Sequence, residues 1–260
     1  MWLQAHGIEV CAERESADII EVPIVSQDDF GQADFVIAIG GDGTLIKAAH
    51  MIGDAGTPIL GAQYGRFGFV TQIGPGELEA ALKKYVAGEL STVERMMIQT
   101  DLVRDGTVVA TLHSLNETVV QRSATTRMLT FDVHVDGSEV SRYPADGVMV
   151  STPTGSTAYN LSAGGPVVDP RMKALILTAI MPHTLSARSL ILQPEAVVEI
   201  KVESREEAVL SCDGHSRLHL LTGDFVRITM SARTTKLLTP DVNSFFDKLS
   251  DRLLWSQGPI

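Results

Sequence analysis

The sequence of 260 residues is 44% hydrophobic and 20% charged, a composition that can bury a large core and excludes a disordered chain. Its formal net charge of -11 leaves no overall basic surface for nucleic acid or an anionic membrane, so a phosphate-bearing ligand has to be held locally. The two cysteines, Cys11 and Cys212, stand in unrelated contexts, and apolar stretches such as 174–181 are too short to cross a bilayer, so we expect a cytoplasmic protein with free thiols.

The N-terminal third alternates short apolar runs with helix-like stretches, a pattern typical of an α/β domain with a parallel sheet. Residues 35–39 are predicted to form a buried strand, and a helix is predicted to begin near Thr44. A second strand is predicted over 57–61. Apolar residues recur at helical spacing from Leu78 to Tyr85, and Gly88 is predicted to end this second helix.

From about Arg95 the pattern changes to alternating strands separated by Asp-Gly pairs, a strong signal for tight hairpins. These pairs are Asp105-Gly106, Asp136-Gly137 and Asp213-Gly214. This part of the chain is predicted to be mostly β, with residues 156–163 as a helical interruption.

These patterns predict two domains. We expect an N-terminal α/β domain over residues 1–93 and a β-rich domain over residues 94–235. The segment 244–255 places four apolar side chains on one helical face, so the tail 236–260 is expected to pack back onto the first domain. The four are Phe245, Leu249, Leu253 and Leu254.

The loop Gly-Gly-Asp-Gly-Thr at 40–44 lies between the first predicted strand and its helix. Glycines at such a turn let backbone N–H groups approach a ligand, which indicates phosphate binding. The loop matches neither the dinucleotide fingerprint nor a Walker A loop. Asp42 would repel a triphosphate unless a metal ion or a transferable proton lay between them, which favours a base or a metal-linked role. The alternative is a plain turn in which Asp42 caps the helix.

Residues 146–166 form the longest distinctive segment, a predicted strand followed by a hydroxyl-rich turn, a short helix and a diglycine stop. Hydroxyl groups beside the N–H groups of a helix start suit ribose and phosphate oxygens. They belong to Thr154, Ser156, Thr157, Tyr159 and Ser162. The closing glycine of a nucleophile elbow is absent, which argues against a serine hydrolase.

Four segments together resemble the NAD kinase family in content, order and spacing: 40–44, Asn116-Glu117, 146–166 and 182–188. The 146–166 segment is the specific part, because the Gly-Gly-Asp-Gly-Thr motif also occurs in lipid kinases of the wider superfamily. The resemblance implies a Rossmann-like α/β domain on the ATP side and a β-rich, sandwich-like domain that binds NAD. It also implies a kinase that phosphorylates NAD at the 2'-hydroxyl of its adenosine ribose with ATP and Mg²⁺, forms NADP, and assembles as a homo-oligomer, a dimer or a tetramer.

The resemblance also assigns roles to individual residues. Asp42 is expected to accept the proton of the ribose hydroxyl, while Asn116 and Glu117 contact the adenosine part of NAD and Asp146 contacts the nicotinamide end. Arg127 is expected to reach phosphate from a neighbouring subunit. The other expected nucleotide-binding residues are Gly41, Gly43, Thr44, Thr157, Ala158, Tyr159, Asn160, Leu161, Ser162 and His215. The metal is expected to bind with ATP, with no direct protein ligand.

Four features depart from the family pattern. Tyr143-Pro144-Ala145 replaces a basic residue that some relatives place two positions before the aspartate, and Ala179 stands where a proline is common. Gln63 stands where relatives usually carry Asn, and the opening residues 2–10 resemble the end of a helix, so we expect the first strand and most of the first helix of relatives to be missing from a truncated or misassigned start. Two alternatives remain at this point: a related lipid or small-alcohol kinase, and a catalytically impaired NAD(P)-binding protein. Neither nucleic acid nor a membrane is expected as a partner.

Overall fold

The computed structural model of the chain describes residues 2–64, 68–74, 76–123, 128–202, 207–242 and 244–252. The chain divides into two compact units. Unit 1 comprises Met1–Glu94 and Thr235–Ile260, and unit 2 comprises Arg95–Thr234. Within the described ranges, no helix is long and apolar enough to span a membrane.

The secondary structure follows the predicted order, an α/β region and then a mostly β region, so the predicted fold class is confirmed. The helices are α1 (Trp2–Ala5), α2 (Arg14–Ile20), α3 (Asp42–Ile52), α4 (Leu78–Val86), α5 (Tyr159–Ser162) and α6 (Ser244–Arg252), with 3-10 turns at Gln27–Gln32, Gly53–Ala55 and Gly155–Thr157. The strands are β1 (Val36–Gly40), β2 (Ile59–Gln63), β3 (Ser91–Arg104), β4 (Thr107–Ser114), β5 (Glu117–Arg122), β6 (Leu129–Val135), β7 (Ser138–Ala145), β8 (Gly147–Ser151), β9 (Leu175–Ile180), β10 (Leu190–Leu192), β11 (Val198–Val202), β12 (Ala208–Cys212), β13 (Ser216–Leu220) and β14 (Phe225–Thr239).

Unit 1 is built on parallel pairing around β2. Ile59 of β2 lies opposite Val36 of β1 on one side and opposite Leu237 of β14 on the other. Helix α3 buries its apolar face, formed by Leu45, Ile46, Ala48, Ala49 and Ile52. Each larger side chain removed from water in this way stabilises the fold by about 1.5 to 3 kcal/mol. This packing holds the first turn of α3 at the carboxyl end of β1.

Unit 2 contains two groups of strands that share one apolar core. One consists of β6, β7, β11 and the first part of β14, with β3 and β4 attached, and the other is a six-stranded antiparallel sheet in the order β10-β9-β8-β5-β12-β13. Phe131 and Ile200 of the first group are buried in the same cluster as Val150 and Leu177 of the second. The predicted sandwich-like β domain is therefore confirmed.

Three Asp-Gly pairs form the hairpin turns that the sequence predicts. The aspartates of Asp105-Gly106, Asp136-Gly137 and Asp213-Gly214 have φ of 49° to 50°, and the glycines have φ of 71° to 77°. Positive φ at both central residues is the geometry of a type I' turn, which Asp and Gly tolerate better than other residues. The turns connect β3 to β4, β6 to β7 and β12 to β13.

The predicted C-terminal helix is present as α6, which ends the described part of the chain at Arg252. Leu249 is 6% exposed, and Lys248 Nζ donates a hydrogen bond of 2.6 Å to the carbonyl oxygen of Thr71. Leu253 and Leu254 lie outside the described residues. Within unit 1, α6 therefore contacts the segment that follows β2.

Candidate active site

The loop between β1 and α3 brings Asp42 to the first position of the helix. Gly41 precedes the helix in an extended conformation. A Cβ atom on Gly40 would lie 2.3 Å from Oγ1 of Thr44, so the chain can only turn this tightly with glycine at position 40. The predicted role of the glycines as a tight strand-to-helix turn has a steric basis in this contact.

The Asp42 carboxylate is held by the backbone of the segment 69–71. Oδ2 accepts a hydrogen bond of 2.7 Å from the N–H of Phe69, and Oδ1 accepts bonds of 3.1 Å and 3.0 Å from the N–H groups of Val70 and Thr71. An ionised carboxylate offers about four acceptor positions, so about one remains, on Oδ2. Asp42 is therefore fixed in orientation and can still accept one hydrogen bond from a ligand.

Gln63 supports the same segment from the end of β2. It is 2% exposed, and its Oε1 accepts a bond of 2.7 Å from the N–H of Gly68 and one of 2.8 Å from Oγ1 of Thr71. The residue that departs from the family pattern thus helps to hold the backbone that binds Asp42. Residues 65–67 of this loop lie outside the described part of the chain.

In unit 2, Asp213 organises the turn that carries Asn116 and Glu117. Its carboxylate accepts bonds of 2.7 Å from the N–H of Leu115, 2.8 Å from that of Asn116 and 3.1 Å from that of Glu117. Asp213 is buried, with 8% of its surface exposed. Asp42 and Asp213 are distant in the sequence but make the same kind of contact. In both, the carboxylate accepts hydrogen bonds from three consecutive backbone N–H groups.

Three buried polar atoms near this turn have no hydrogen-bond partner among the described residues: Oδ1 of Asn116, Oε2 of Glu117 and Oγ1 of Thr154. Buried polar atoms are nearly always paired, and leaving one unpaired costs about 1 to 3 kcal/mol. All three belong to residues at most 8% exposed. Such a set suits a ligand that supplies the missing hydrogen bonds.

Glu117 is electrostatically unusual. Burial first, and then the negative charge of Asp213, raise the pKa of Glu117 to about 7, while a hydrogen bond from the backbone N–H of Tyr159 acts in the opposite direction. The Glu117 carboxyl group can therefore either donate or accept a hydrogen bond near neutral pH.

The hydroxyl-rich segment is held together by two fully buried side chains. Ser156 Oγ donates to the carbonyl oxygen of Pro153 at 2.7 Å and accepts from the N–H of Val168 at 3.0 Å. Asn160 Nδ2 donates to the carbonyl oxygen of Pro166 at 3.0 Å, and its Oδ1 accepts from Oγ1 of Thr178 at 2.8 Å. These two polar side chains thus stabilise the loop itself.

The neighbouring residues of this segment are more open. Tyr159 is 39% exposed and Ser162 is also exposed, while Thr157, Ala158 and Leu161 are half-buried. The segment contacts the Asn116 turn directly, since a Cβ atom on Gly155 would lie 2.2 Å from the carbonyl oxygen of Asn116. Unit 2 therefore brings Asn116, Glu117 and the start of α5 together.

Of the two remaining predicted site residues that the structure describes, His215 lies beside the Asn116 turn and Asp146 does not. His215 Nδ1 lies 2.7 Å from the carbonyl oxygen of Asp213, so this nitrogen carries the proton. Asp146 is bound by Arg122, with 2.7 Å between Nε and Oδ1, at the end of β8 opposite to the Asn116 turn. Arg122 lies five residues along β5 from Glu117, about 17 Å along the strand. Arg127 lies outside the described residues.

Sequence reasoning missed two residues that position the site. Asp213 was predicted only as part of a hairpin turn, and Gln63 only as a departure from the family pattern. The contacts of Asp213 are with residues 96 to 98 positions away in the sequence, whereas Gln63 binds Gly68 and Thr71, five and eight positions away. In the sequence, Asp213-Gly214 resembles the other two Asp-Gly pairs, so no sequence signal distinguishes it from them.

Comparison with known proteins decides the family. Residues 6–90 match the ATP-NAD kinase N-terminal domain, and residues 115–239 match the ATP-NAD kinase C-terminal domain. The chain belongs to the NAD kinase family. It is 40% identical over 255 residues to the NAD kinase of Symbiobacterium thermophilum, covering 96% of this chain and 90% of that one. It is 36% identical over 259 residues to the NAD kinase of Geobacter sulfurreducens, covering 98% of this chain and 91% of that one.

Solved structures of NAD kinases and NADH kinases have the same fold. The crystal structure of yeast NADH kinase complexed with NADH superposes with a TM-score of 0.89 at 25% identity, covering 97% of this chain and 80% of that one. The NAD kinase from Archaeoglobus fulgidus in complex with ATP gives a TM-score of 0.75 at 26% identity, with 92% of each chain covered.

One cluster in the described residues could hold a metal ion, formed by Asp132, His134 and Glu139. It lies on β6 and β7, whereas the Asn116 turn leads into β5 of the other sheet. Asp42, for its part, already uses three acceptor positions on backbone N–H groups. About one acceptor position of the Asp42 carboxylate therefore remains for a ligand.

Proposed function

We propose that the chain is a kinase that phosphorylates the 2'-hydroxyl of the adenosine ribose of NAD, with ATP and a divalent cation, and so forms NADP. The observation that carries the proposal is the geometry of Asp42, in a chain that matches NAD kinases along nearly its whole length. Three backbone bonds fix the carboxylate, and its remaining acceptor position is available to a hydroxyl proton.

Asp42 serves as the general base in this proposal. Phosphoryl transfer depends mainly on positioning and on neutralisation of charge, so the protein has to orient the hydroxyl and take its proton. Because three hydrogen bonds already hold the Asp42 carboxylate, it loses little further conformational freedom when it accepts the proton. The open space beside Gly41 and Gly43, where an added Cβ would meet nothing within 4 Å, leaves room for phosphate oxygens near Thr44 at the start of α3.

Unit 2 supplies the NAD-binding residues in this proposal, and unit 1 the ATP-side residues. The unpaired atoms of Asn116, Glu117 and Thr154 fit the hydroxyl groups of a ribose, which both donate and accept hydrogen bonds. The exposed ring of Tyr159 can stack on adenine, and Thr157 to Ser162 line the same region. Asp146, at the far end of β8, is assigned to the nicotinamide end of this long ligand.

Mg²⁺ is proposed to enter with ATP, where it neutralises charge on the phosphate oxygens. The resemblance gives the protein no direct metal ligand, and the engaged Asp42 carboxylate is consistent with this. Turnover should stop on addition of a chelator and return with excess Mg²⁺. Activity that persists without any divalent cation would contradict the proposal.

The chain is also proposed to be cytoplasmic and homo-oligomeric, as a dimer or a tetramer. Both cysteines are free, as expected in a reducing compartment.

The homo-oligomer is supported by exposed apolar side chains. Leu185 is 97% exposed, Met181 is 70% exposed and Ile191 of the edge strand β10 is 57% exposed, which suits burial against another copy. Light scattering after size-exclusion chromatography should show a dimer or a tetramer that Leu185→Asp weakens, and a monomer at all concentrations would contradict this.

The experiment that tests the function is the formation of NADP from NAD and Mg-ATP by the purified chain, detected with an NADP-specific dehydrogenase. Control reactions replace NAD with a lipid alcohol or a small polyol, because the related kinases of the superfamily act on such acceptors. NADP formation that depends on ATP supports the proposal. ATP consumption only with another alcohol, or NAD binding without turnover, would replace it with one of the two alternatives.

A further inference from the structure

The carboxylate of Asp213 ties the β12–β13 turn to the start of β5. Besides the three bonds that it accepts from residues 115–117, the backbone N–H of Asp213 donates to the carbonyl oxygen of Glu117 at 3.0 Å. Four hydrogen bonds therefore fix the backbone from which the Asn116 and Glu117 side chains extend.

The turn geometry does not by itself require this buried carboxylate. Asp105 and Asp136 also precede glycine in hairpin turns, with φ of 50°, and both are exposed, although their turns have two residues between paired strand residues where the Asp213 turn has three. Asn forms such turns as readily as Asp and carries no charge. The contacts with residues 115–117, which the exposed turns lack, distinguish Asp213 from the other two.

Burial of Asp213 beside Glu117 has an electrostatic cost, because two acidic groups share one poorly hydrated region. The cost is visible at Glu117, whose pKa is raised by burial and by the charge of Asp213. Hydrogen bonds to a charged acceptor are about twice as strong as those between neutral groups, so three such bonds offset part of this cost. The carboxylate therefore gives the turn a rigidity that a neutral side chain would not.

We propose that Asp213 is the positioning residue of the nucleotide site in unit 2: its carboxylate holds residues 115–117 in the arrangement that presents Asn116 and Glu117 to NAD before NAD binds. The identity of the ligand, NAD, rests on the proposed function. The arrangement of residues 115–117 does not, because it is observed in the protein without nucleotide.

The test is the variant Asp213→Asn, with Asp136→Asn as its matched control. Asn keeps the turn but replaces one acceptor oxygen with an NH₂ group, which cannot accept a bond from the N–H groups that Asp213 binds. The control makes the same change in an exposed type I' turn, where Asp136 Oδ1 accepts a bond of 2.9 Å from the N–H of Val197. Neither substitution removes a residue proposed to touch the nucleotide.

We expect the KM for NAD of Asp213→Asn to rise about 10- to 100-fold, the equivalent of one or two lost bonds to a charged group. The KM for ATP should change less than about twofold, and kcat should fall less than the KM for NAD rises. The control should keep both KM values. Equal KM values for NAD in the two variants, or a lower kcat with unchanged KM, would mean that Asp213 serves general stability only.

Hydrogen exchange on the unmodified chain provides a second test that needs no variant and no activity. The amides of residues 115–117 should be protected in the absence of nucleotide, unlike those of the exposed 105–106 turn. Amides that exchange freely and become protected only with NAD would overturn the inference. If the chain forms no NADP but these amides are protected, the proposed function fails while the positioning geometry stands, so the two failures are distinguishable.

Discussion

A Cβ atom on Gly68 would lie 1.8 Å from Oδ1 of Asp42 and 2.7 Å from Oγ1 of Thr71. Backbone and carboxylate therefore approach each other at a distance that only glycine permits. The Gly68 N–H is itself bonded to Gln63, and the next three N–H groups are bonded to Asp42. Gly68 thus has a direct influence on the position of the proposed base.

Gly68→Ala is expected to lower kcat roughly 10²-fold, because a displacement of about 1 Å at a reacting group has an effect of this size. Asp42 and the 68–71 backbone would have to move apart to accommodate the methyl group. Gly74→Ala is the control, since its Cβ would meet only the carboxylate end of Glu77, at 3.0 Å, which can move. Steady-state kinetics on both variants checks this, and an unchanged kcat in Gly68→Ala would contradict it.

Asp42→Asn is expected to lower kcat by roughly 10² to 10⁴, the usual effect of removing a general base. The structure adds a second effect, because the NH₂ group of Asn cannot accept from the amides that Asp42 binds. A buried N–H left without an acceptor costs about 1 to 3 kcal/mol, so the free energy of unfolding should fall as well.

The matched control for Asp42→Asn is Asp34→Asn, an exposed position in the same unit just before β1. Urea unfolding measures the loss of stability, and kcat is measured well below the transition so that both variants are folded. An Asp42→Asn enzyme with near-normal kcat would remove Asp42 from the chemical step. One with lower kcat and unchanged stability would contradict the hydrogen bonds to residues 69–71.

Local signals predicted the elements, whereas long-range contacts decided the details of the site. The three Asp-Gly pairs and the strand before Gly40 were predictable, because turn chemistry and apolar runs act over a few residues. The partners of Asp42 lie 27 to 29 positions away, and those of Asp213 nearly one hundred. No periodicity in a single sequence reports such a contact, so the positioning role of Asp213 could not be predicted. Gln63 binds groups only five and eight positions away, but the sequence does not indicate which groups a buried amide side chain will bind.

Glu117 is expected to make stability depend on pH in a definite direction. Its pKa is raised from 4.5 to about 7, by burial and then by Asp213, so between these pH values the folded protein holds a proton that the unfolded chain releases. The contribution of Glu117 to stability therefore falls as the pH rises from 4.5 to about 7, by roughly 3 kcal/mol in all. Glu117→Gln removes this titration and should gain stability relative to the unmodified chain as the pH rises.

Urea unfolding without nucleotide at pH 5 and pH 8 measures this difference. Other titrating groups are common to both proteins, so they cancel when the variant is compared with the unmodified chain at each pH. The exposed Glu89 gives the control Glu89→Gln, which should show no such change between the two pH values. A Glu117→Gln difference that is the same at pH 5 and pH 8 would contradict the raised pKa.

Asn160→Ala is expected to destabilise unit 2 by about 2 to 4 kcal/mol, because it removes buried hydrogen bonds and leaves a cavity. Asn160 is fully buried, donates to the carbonyl oxygens of Ser156 and Pro166, and accepts from Thr178. The close approach of Gly165, where a Cβ would lie 2.1 Å from Asn160 Oδ1, shows how tightly the loop is closed around this side chain. The KM for NAD should rise more than the KM for ATP, because the loop carries Tyr159.

A double-mutant cycle with Thr178→Val separates the hydrogen bond from the cavity. Thr178→Val keeps the side-chain shape and removes the 2.8 Å bond to Asn160 Oδ1. If that bond contributes, the double variant should be less destabilised than the sum of the two single variants, by about 0.5 to 3 kcal/mol. Additive losses would mean that Asn160 stabilises the loop by filling space. A change in the KM for NAD without any loss of stability would instead favour direct contact between Asn160 and the nucleotide.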